Sequence, residues 1–319
     1  MFNAESAGGA VLSIIFHVNI LFMNRFFSSI SFWIFTVSRG KSLSMSLSCC
    51  LCAFVLSWFY SSGYVLYGLL SIAAVISAHL GANLFDDVID TLLKSPKQEC
   101  KTKHLKDGSV SIKTIAAAAF LHFAFSLAAG VFFFLKCGVN IIYIALPAAL
   151  IILLYPKLNH FASGEAAIGA CFGVLLFSGI NYAMAQNFNM DILLISIPVS
   201  LLVSAAAYTH SLMDYDFDLK SGKRTLCVLA GSKKNALTGL GIIYSAVFTV
   251  TILLVLKNIL PVLSLAVFIL IPEIVKFYKS MQDYIKNPDS SLFWIHFKKA
   301  SNISLHYNII LIIVFLIEL

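Results

Sequence analysis

The chain has 319 residues, of which 60% are hydrophobic and only 12% are charged. This composition excludes an ordinary soluble globular protein, in which about a quarter of the residues are charged, and it provides apolar sequence for about eight to ten membrane helices. The formal net charge is +7, but the basic residues recur between apolar segments as in membrane-protein loops, which argues against nucleic acid as a partner.

Residues 1–38 are predicted to form an N-terminal leader. Its apolar part, 10–23, has no basic segment before it and no small-residue cleavage site after it, which disfavours a signal peptide. The wider apolar stretch 12–37 either spans the membrane or lies along its surface. A helix at the interface keeps the N-terminus and Arg25 on the side of the other basic residues, and we favour that interpretation.

The remaining residues, 39–319, contain repeated apolar runs of the length that a membrane helix needs, about 17–25 residues. No soluble domain interrupts them, and the longest polar segment outside the motifs, 279–300, is predicted to be a loop with short helical pieces. The sequence therefore predicts an all-α membrane protein with about nine transmembrane helices. The predicted helices are 43–62, 64–90, 112–135, 138–155, 165–184, 192–213, 236–256, 259–278 and 302–318.

Basic residues crowd the loops on one side of this arrangement. They follow the second, fourth, sixth and eighth helices and precede the first, whereas Lys136 and Lys257 fall on the opposite side. By the positive-inside rule the crowded side is cytoplasmic. The protein is therefore predicted to be a multi-pass integral protein of the plasma or inner membrane.

Two acidic clusters stand at the ends of the second and sixth predicted helices, where acids near a bilayer are functional candidates. In the first, NLFDDVID, Asn83, Asp86 and Asp90 recur at i, i+3 and i+7 on one helix face, and Asp87 flanks that face. Four helices separate the two clusters, so both open on the predicted cytoplasmic face.

The second cluster is DYDFDLKSGKRTL, residues 214–226. Asp214 and Asp218 lie one helical turn apart, while Asp216 points roughly the other way. A glycine and two cations follow directly. The segment therefore combines carboxylates with groups that bind anions.

Facing carboxylates repel in a low dielectric unless a cation lies between them. Oxygen ligands suit Mg²⁺, which takes one or two carboxylates and fills its shell from phosphate. Lys223 and Arg224 supply the matching anion contacts, a point charge beside a bidentate donor. The residues thus predict a Mg²⁺-bridged diphosphate at a membrane face, above an apolar cavity for an attached hydrocarbon.

Other interpretations of the acids are weaker. Acids at helix ends often form only solvated, salt-bridged caps, but two such clusters on one face disfavour that explanation. A calcium-binding EF-hand loop is excluded because Leu219 and Thr225 stand where glycine and glutamate are needed. The phosphate-binding loop of nucleotide-binding proteins is absent from the sequence.

The D-x-x-x-D-x-x-x-G-K-R-T-L pattern of 214–226 resembles the second aspartate motif of the UbiA superfamily of intramembrane prenyltransferases. Residues 86–90, DDVID, resemble its first motif, usually N-D-x-x-D, with Asp86 in the asparagine place. The segment 155–173 is similar to the connection between the fourth and fifth helices in the menaquinone-type branch, the 1,4-dihydroxy-2-naphthoate prenyltransferases. The resemblance runs from about Arg39 to the C-terminus.

The resemblance implies a ring of about nine helices around a central cavity, with both Asp-rich motifs at the cytoplasmic side. It implies Mg²⁺-dependent transfer of a polyprenyl group from an isoprenyl diphosphate to an aromatic quinone precursor within the lipid bilayer. The implied metal ligands are Asp86, Asp87, Asp90, Asp214 and Asp218.

Further roles follow from the positions that match the family motifs. The ring face of Tyr155 is a candidate for stabilising the allylic cation, with membership of the interfacial aromatic belt as the alternative. The implied diphosphate-binding residues are Lys223, Arg224, Lys157 and Arg39, with Asn83 as a neighbouring polar ligand. The implied acceptor-side residues are Glu165, His160 and His210, which otherwise contact backbone or solvent near the interface.

Two alternatives remain open. The altered first motif, and the sequence HSLM at 210–213 where family members often have asparagines and an arginine, leave room for an intramembrane terpene cyclase of the same superfamily. Such an enzyme uses the same diphosphate departure, but the substrate's own double bonds capture the cation. A transporter would instead carry acids near the bilayer midplane on broken helices, often in inverted repeats.

Overall fold

The computed structural model describes residues 32–37, 42–61, 63–93, 105, 108–158 and 161–319. Within these ranges the chain consists of helices and short connections, without a strand. Seven of the described helices are long and apolar enough to cross a membrane. The predicted all-α membrane architecture is confirmed.

The α-helices are numbered α1 to α11 in chain order. Three 3₁₀ segments accompany them: Val139–Ile141 precedes α4, Val262–Leu270 leads directly into α10, and Ser290–Leu292 precedes α11. A π-helical turn, Cys171–Leu175, lies inside α5. The helices are α1 (Leu43–Ser61), α2 (Val65–Leu93), α3 (Ile112–Cys137), α4 (Ile142–Leu158), α5 (Gly164–Ala185), α6 (Met190–Met213), α7 (Tyr215–Lys220), α8 (Leu226–Leu229), α9 (Lys233–Leu256), α10 (Ile271–Lys286) and α11 (Phe293–Glu318).

Two predicted membrane helices differ in kind from the seven long ones. The predicted helix 138–155 falls on α4, which is apolar but shorter. The predicted helix 259–278 falls on Val262–Leu270 and the first part of α10. Each predicted helix therefore has a helical counterpart in the structure.

The predicted loop 279–300 is largely helical. α10 continues to Lys286 and α11 begins at Phe293, so the connection is short. α10 is amphipathic, and a hydropathy pattern ends where its exposed lysines begin although the helical periodicity continues. Its buried side chains are Ile274, Phe277, Met281 and Tyr284.

Two helices begin earlier than their apolar runs because polar residues cap them. Asn189 Oδ1 accepts hydrogen bonds from the N–H groups of Asp191 (2.9 Å) and Ile192 (3.1 Å) at the start of α6. At the start of α9, Ser232 Oγ accepts from the Asn235 N–H at 3.1 Å. Such caps satisfy amides that the helix itself leaves without partners.

The first half of α5 is held tightly against α6 by small residues. Gly169 and Gly173 face Ser204 and Ser200, and a Cβ at Gly173 would overlap Ser200 Oγ and lie 2.7 Å from its Cα. Small residues let membrane helices approach closely, which gives close van der Waals packing where the hydrophobic effect contributes little. α5 also contacts α2 through the rings of Phe172 and His79, whose centroids are 5.1 Å apart.

The remaining long helices share a large apolar core with polar links inside it. Buried residues of α1, α5, α6, α9, α10 and α11 form one cluster. The Asn308 amide of α11 donates to Ser48 Oγ of α1 at 3.0 Å, and the hydroxyls of Tyr307 and Thr251 lie 2.7 Å apart between α11 and α9. α11 is therefore joined by hydrogen bonds to both α1 and α9.

Most of the predicted leader, including Arg25, lies outside the described residues. Its described part, Phe32–Val37, forms a π-helical turn. Val37 is fully buried in an apolar cluster with Leu84 and Val88 of α2. This turn therefore packs beside the first acidic cluster.

Candidate functional site

The first acidic cluster lies in the last turns of α2, which continues without a break to Leu93. Asp87 is fully buried, with 0% of its surface exposed, while Asn83 and Asp86 are half-buried. The Asn83 amide donates a hydrogen bond to Ser42 Oγ, 3.5 Å away and just before α1. Among the described acids of this cluster, Asp87 is therefore the more deeply buried, although Asp86 was predicted to lie on the main face and Asp87 only to flank it.

The second cluster follows a break at the end of α6. Asp214 lies at the junction with α7, and its N–H donates to the carbonyl of His210 at 3.0 Å. One turn later the Asp218 N–H donates to the Asp214 carbonyl at 2.8 Å, and the side chain of Asp218 is buried. Asp216 points to solvent, and its carboxylate forms an ion pair with Lys233 Nζ at 2.6 Å. The motif therefore directs Asp218 inwards and Asp216 outwards.

The loop between α7 and α8 carries the two cations. Gly222 adopts a φ of +76°, which glycine tolerates because it has no Cβ. The next residue turns back, so that the Lys223 N–H donates to the Asp218 carbonyl at 3.0 Å and its ammonium lies 3.5 Å from the Asp218 carboxylate. Arg224 is exposed. One cation thus neutralises a buried acid while the other faces outwards.

The end of this loop is tied to α5 by a buried acid. Glu165, the second residue of α5, is only 2% exposed, and its Oε1 accepts a hydrogen bond from the Leu226 N–H at 3.3 Å. Its other oxygen, Oε2, is buried without a hydrogen-bond partner among the described residues. Thr225 Oγ1 caps α8 by accepting from the Val228 N–H at 3.4 Å.

α8 is also attached to α6. The Cys227 thiol is fully buried and donates to the Tyr208 carbonyl at 3.4 Å. Burial raises the pKa of the Cys227 thiol, and the nearby charge of Glu165 raises it further. The thiol therefore stays protonated at neutral pH and acts as a packing group rather than a nucleophile.

Both acidic clusters lie at the same end of the bundle. α6 packs against the first half of α5 at Gly169 and Gly173, and α2 contacts α5 where the rings of His79 and Phe172 meet. The Tyr64 N–H before α2 donates to the Met184 carbonyl at the far end of α5 (2.9 Å). α5 is therefore antiparallel to both. From the level where Phe172 meets His79, Glu165 and Asp86 are each seven residues away, which is about 10 Å toward the same face. The predicted common face is thus observed within the described residues.

The chain also matches the family model of the UbiA prenyltransferase family over residues 46–298, which is most of its length. It belongs to this family. The predicted resemblance is confirmed, and the protein is a UbiA-type prenyltransferase embedded in the membrane. Acids at helix ends, rather than on broken helices at the midplane, agree with an enzyme and not with the transporter alternative.

The chain is similar to the 1,4-dihydroxy-2-naphthoate octaprenyltransferase of Bacillus subtilis (strain 168). It is 24% identical over 251 residues, which cover 76% of this chain and 80% of that protein. Among solved structures, one of digeranylgeranylglyceryl phosphate synthase has a TM-score of 0.63 at 16% identity, covering 92% of this chain and all of that chain. A UbiA homologue from Archaeoglobus fulgidus bound to GPP and Mg²⁺ has a TM-score of 0.56 at 14% identity, covering 88% and 99%. These structural matches show a shared fold.

The carboxylates fit Mg²⁺ by chemistry, although the described side chains do not converge on one point. In the part of the chain that the structure describes, no group of three or more His, Cys, Asp or Glu side chains is close enough to hold a metal ion. The side chain of Asp90 is not among those described. Mg²⁺ in enzymes typically takes one or two carboxylates and completes its shell with phosphate and water, and buried Asp87 and Asp218 suit that role.

His210, a predicted acceptor-side residue, lies in an aromatic surrounding that the sequence did not predict. Its Nδ1 is 3.7 Å from Asp214 Oδ2. The rings of Phe293 and Phe297 stand edge-on to it, with centroids 4.9 and 5.9 Å away. Both belong to the start of α11, within the segment predicted to be a loop, so only a recognised amphipathic helix over 279–300 could have placed them here.

Tyr155 and Lys157 lie in the last turn of α4, which packs against the part of α5 that carries Glu165. Tyr155 is half-buried and Lys157 is exposed. The predictions for Arg39 and His160 lie outside the described residues.

Two grooves lie elsewhere on the molecule. One of about 500 Å³ runs between α9 and α10 past Tyr244 and Lys279, and one of about 420 Å³ runs between α2 and α3 past Trp33 and His122. Their linings contain no carboxylate of either motif.

Proposed function

We propose that this enzyme transfers a polyprenyl group from an isoprenyl diphosphate to an aromatic quinone precursor within the membrane, with Mg²⁺ as cofactor. The observation that carries the proposal is the placement of both acid-bearing helix ends at one end of the bundle, beside an anchored loop with two cations. The names of the B. subtilis relative and of the A. fulgidus homologue bound to GPP and Mg²⁺ support it.

The proposed Mg²⁺ ligands come from two helix ends. When bound, the ions supply positive charge that balances the departing diphosphate. Asp87 and Asp218 are buried carboxylates at these two helix ends, and Mg²⁺ prefers such oxygen ligands. The proposed ligands are Asp86, Asp87, Asp90, Asp214 and Asp218, with Asn83 beside them.

The first chemical step breaks the C–O bond between the allylic carbon and the diphosphate, and the electron pair leaves with the diphosphate. Lys223 and Arg224 stabilise that developing charge. Lys157 and Arg39 are proposed as further diphosphate contacts. Apolar surroundings keep water away from the allylic cation, and the ring face of Tyr155 is proposed to stabilise it.

The second step forms the new C–C bond. A carbon of the electron-rich acceptor ring attacks the cation, and the ring then loses a proton to a carboxylate or to the diphosphate. We place the acceptor near His210, because the flanking Phe293 and Phe297 offer edges and faces for an aromatic ring. His160 is proposed as a second acceptor-side residue.

The proposed topology follows from the charge of the loops. Residues 39–319 form the catalytic membrane domain, and 1–38 form a leader that lies at the interface. The acidic clusters face the cytoplasm of a plasma or inner membrane, because the basic loops share their side.

The proposal is tested with purified protein in nanodiscs, supplied with geranylgeranyl diphosphate or farnesyl diphosphate. Products are measured by mass spectrometry with and without Mg²⁺, and with and without 1,4-dihydroxy-2-naphthoate. We expect a prenylated aromatic product that requires Mg²⁺ and the acceptor.

A cyclic hydrocarbon or alcohol formed without any acceptor would contradict the transferase proposal and favour the terpene cyclase. The cyclase remains the alternative because the sequence differs from the usual family pattern in the first motif and just before Asp214. Turnover that persists in a metal chelator would contradict the proposed role of Mg²⁺.

A further inference from the structure

We infer that Glu165 is a positioning residue that fixes the Lys223–Arg224 loop for the diphosphate, an inference that rests on the proposed function. The sequence predicted an acceptor-side role for this residue. Its observed contact is instead with the backbone of the second motif, where Oε1 accepts from the Leu226 N–H at 3.3 Å.

The two cations stand between two backbone anchors. At the first cation, the Lys223 N–H donates to the Asp218 carbonyl at 3.0 Å. After them, the Leu226 N–H donates to Glu165. The first anchor is local to the motif, whereas the second is supplied by a helix 61 residues earlier in the chain. Without Glu165 the loop keeps its start, and α8 stays attached to α6 through Cys227, but the Leu226 N–H loses the contact that ties the end of the loop to α5.

The burial of Glu165 shows how strongly this contact is constrained. Burying a carboxyl group to 2% exposure is costly unless hydrogen bonds compensate it. The Leu226 N–H provides one hydrogen bond, and the positive N-terminal end of α5 favours an acid in its first turn. The helix N-terminus would favour an exposed acid in the same way, so it does not explain why Glu165 is buried. Burial against the motif is thus explained by the tertiary contact.

The site geometry also argues against direct contact with an aromatic acceptor. Both the Oε1 and Oε2 side of Glu165 are enclosed by protein, and its electrostatic neighbours are Cys227 and Tyr208, which join α8 to α6. By contrast, the His210 side chain is exposed to solvent and has the ring of Phe293 beside it. Glu165 therefore acts through the loop that it holds.

The test compares Glu165→Ala with Glu165→Gln, because the glutamine side-chain oxygen can still accept from the Leu226 N–H. We expect Glu165→Ala to lower kcat/KM for the prenyl diphosphate by about 10- to 100-fold, with the KM for the aromatic acceptor unchanged. Glu165→Gln restores most of this loss. Glu273→Ala, which removes a carboxylate of α10 paired with His306 away from the site, serves as the matched control.

Amide hydrogen exchange of residues 223–229 in the substrate-free protein gives a second readout. We expect faster exchange in Glu165→Ala than in the wild type, and near wild-type exchange in Glu165→Gln. Unchanged exchange in Glu165→Ala, a raised KM for the acceptor, or a glutamine variant as impaired as alanine would overturn the inference. A wild-type protein that does not turn over prenyl diphosphates would refute the proposed function alone, since the exchange experiment still decides whether Glu165 fixes the loop.

Discussion

At the scale of single residues, the acids of the two motifs differ sharply in their surroundings. Asp87 and Asp218 are buried, whereas Asp216 is exposed and paired with Lys233. Exposed ion pairs contribute little to stability or function. Under the proposed function, the buried carboxylates Asp87 and Asp218 are the acids expected to act on a bound diphosphate and its metal ions.

We expect Asp87→Asn to lower Mg²⁺-dependent turnover of the prenyl diphosphate by about two orders of magnitude or more, as for loss of a single electrostatic stabiliser in other active sites. The substitution is isosteric, so the fold is kept while a metal-binding charge is lost. Diphosphate release measures the effect. Asp216→Asn is the matched control and retains wild-type turnover. Equal activities of the two variants would argue against a metal site at Asp87.

The sequence indicates candidate site residues, because carboxylates near a bilayer are costly and are therefore functional candidates. It predicts their partners poorly. The contact of Glu165 with Leu226 spans 61 residues, and no local spacing encodes it. The neighbours of His210 were missed because Phe293 and Phe297 lie in a helix whose polar face hid its periodicity.

At the scale of elements, α5 is the helix that relates the two motifs. It contacts α2 at Phe172 and α6 at Gly169 and Gly173, and it carries Glu165 at its start. The contact with α6 relies on Gly169 and Gly173, which leave no room for a side chain. Shifting α5 away from α6 would therefore disturb the geometry of both acidic ends.

We expect Gly173→Ala to destabilise the protein by about 1–3 kcal/mol, because the new methyl overlaps Ser200 and forces its backbone to move. Gly130→Ala is the matched control: it lies in α3 with no atom near its added Cβ, and removing a helical glycine stabilises by about 0.5–1 kcal/mol. Thermal unfolding in detergent, followed by circular dichroism, measures both. A Gly173→Ala variant as stable as Gly130→Ala would show that α5 and α6 are less tightly packed than described.

Long apolar helices were the most predictable elements, because the thickness of the bilayer sets their length and composition. The prediction failed for α10 and the start of α11, where one face is polar and the other buried. Polar caps such as Ser232 also extend helices beyond their apolar runs. A hydropathy average detects a helix that is apolar all round. A partly exposed helix is recognised only from the 3.6-residue spacing of its apolar residues.

At the scale of the whole molecule, the alternation of helix directions is what turns two separate motifs into one face. α2 and α6 are both antiparallel to α5, so their C-terminal ends lie toward the N-terminal end of α5. The described lysines that follow α6 lie toward the same face, namely Lys220, Lys223, Lys233 and Lys234. The donor diphosphate and the cytoplasmic pool of such compounds would then be on the same side of the membrane.

This sidedness predicts the labelling of single cysteines introduced at the two ends of the bundle. Ser221 is exposed beside the second motif, and Asn187 is exposed in the connection between α5 and α6 at the opposite end. In intact cells a membrane-impermeant maleimide should label Asn187→Cys but reach Ser221→Cys only after permeabilisation, because the positive-inside rule places the basic end in the cytoplasm. The unsubstituted protein gives the background from its own cysteines. Labelling of Ser221→Cys alone in intact cells would place the second acidic cluster outside the cell. That result would contradict the topology proposed from the charge of the loops.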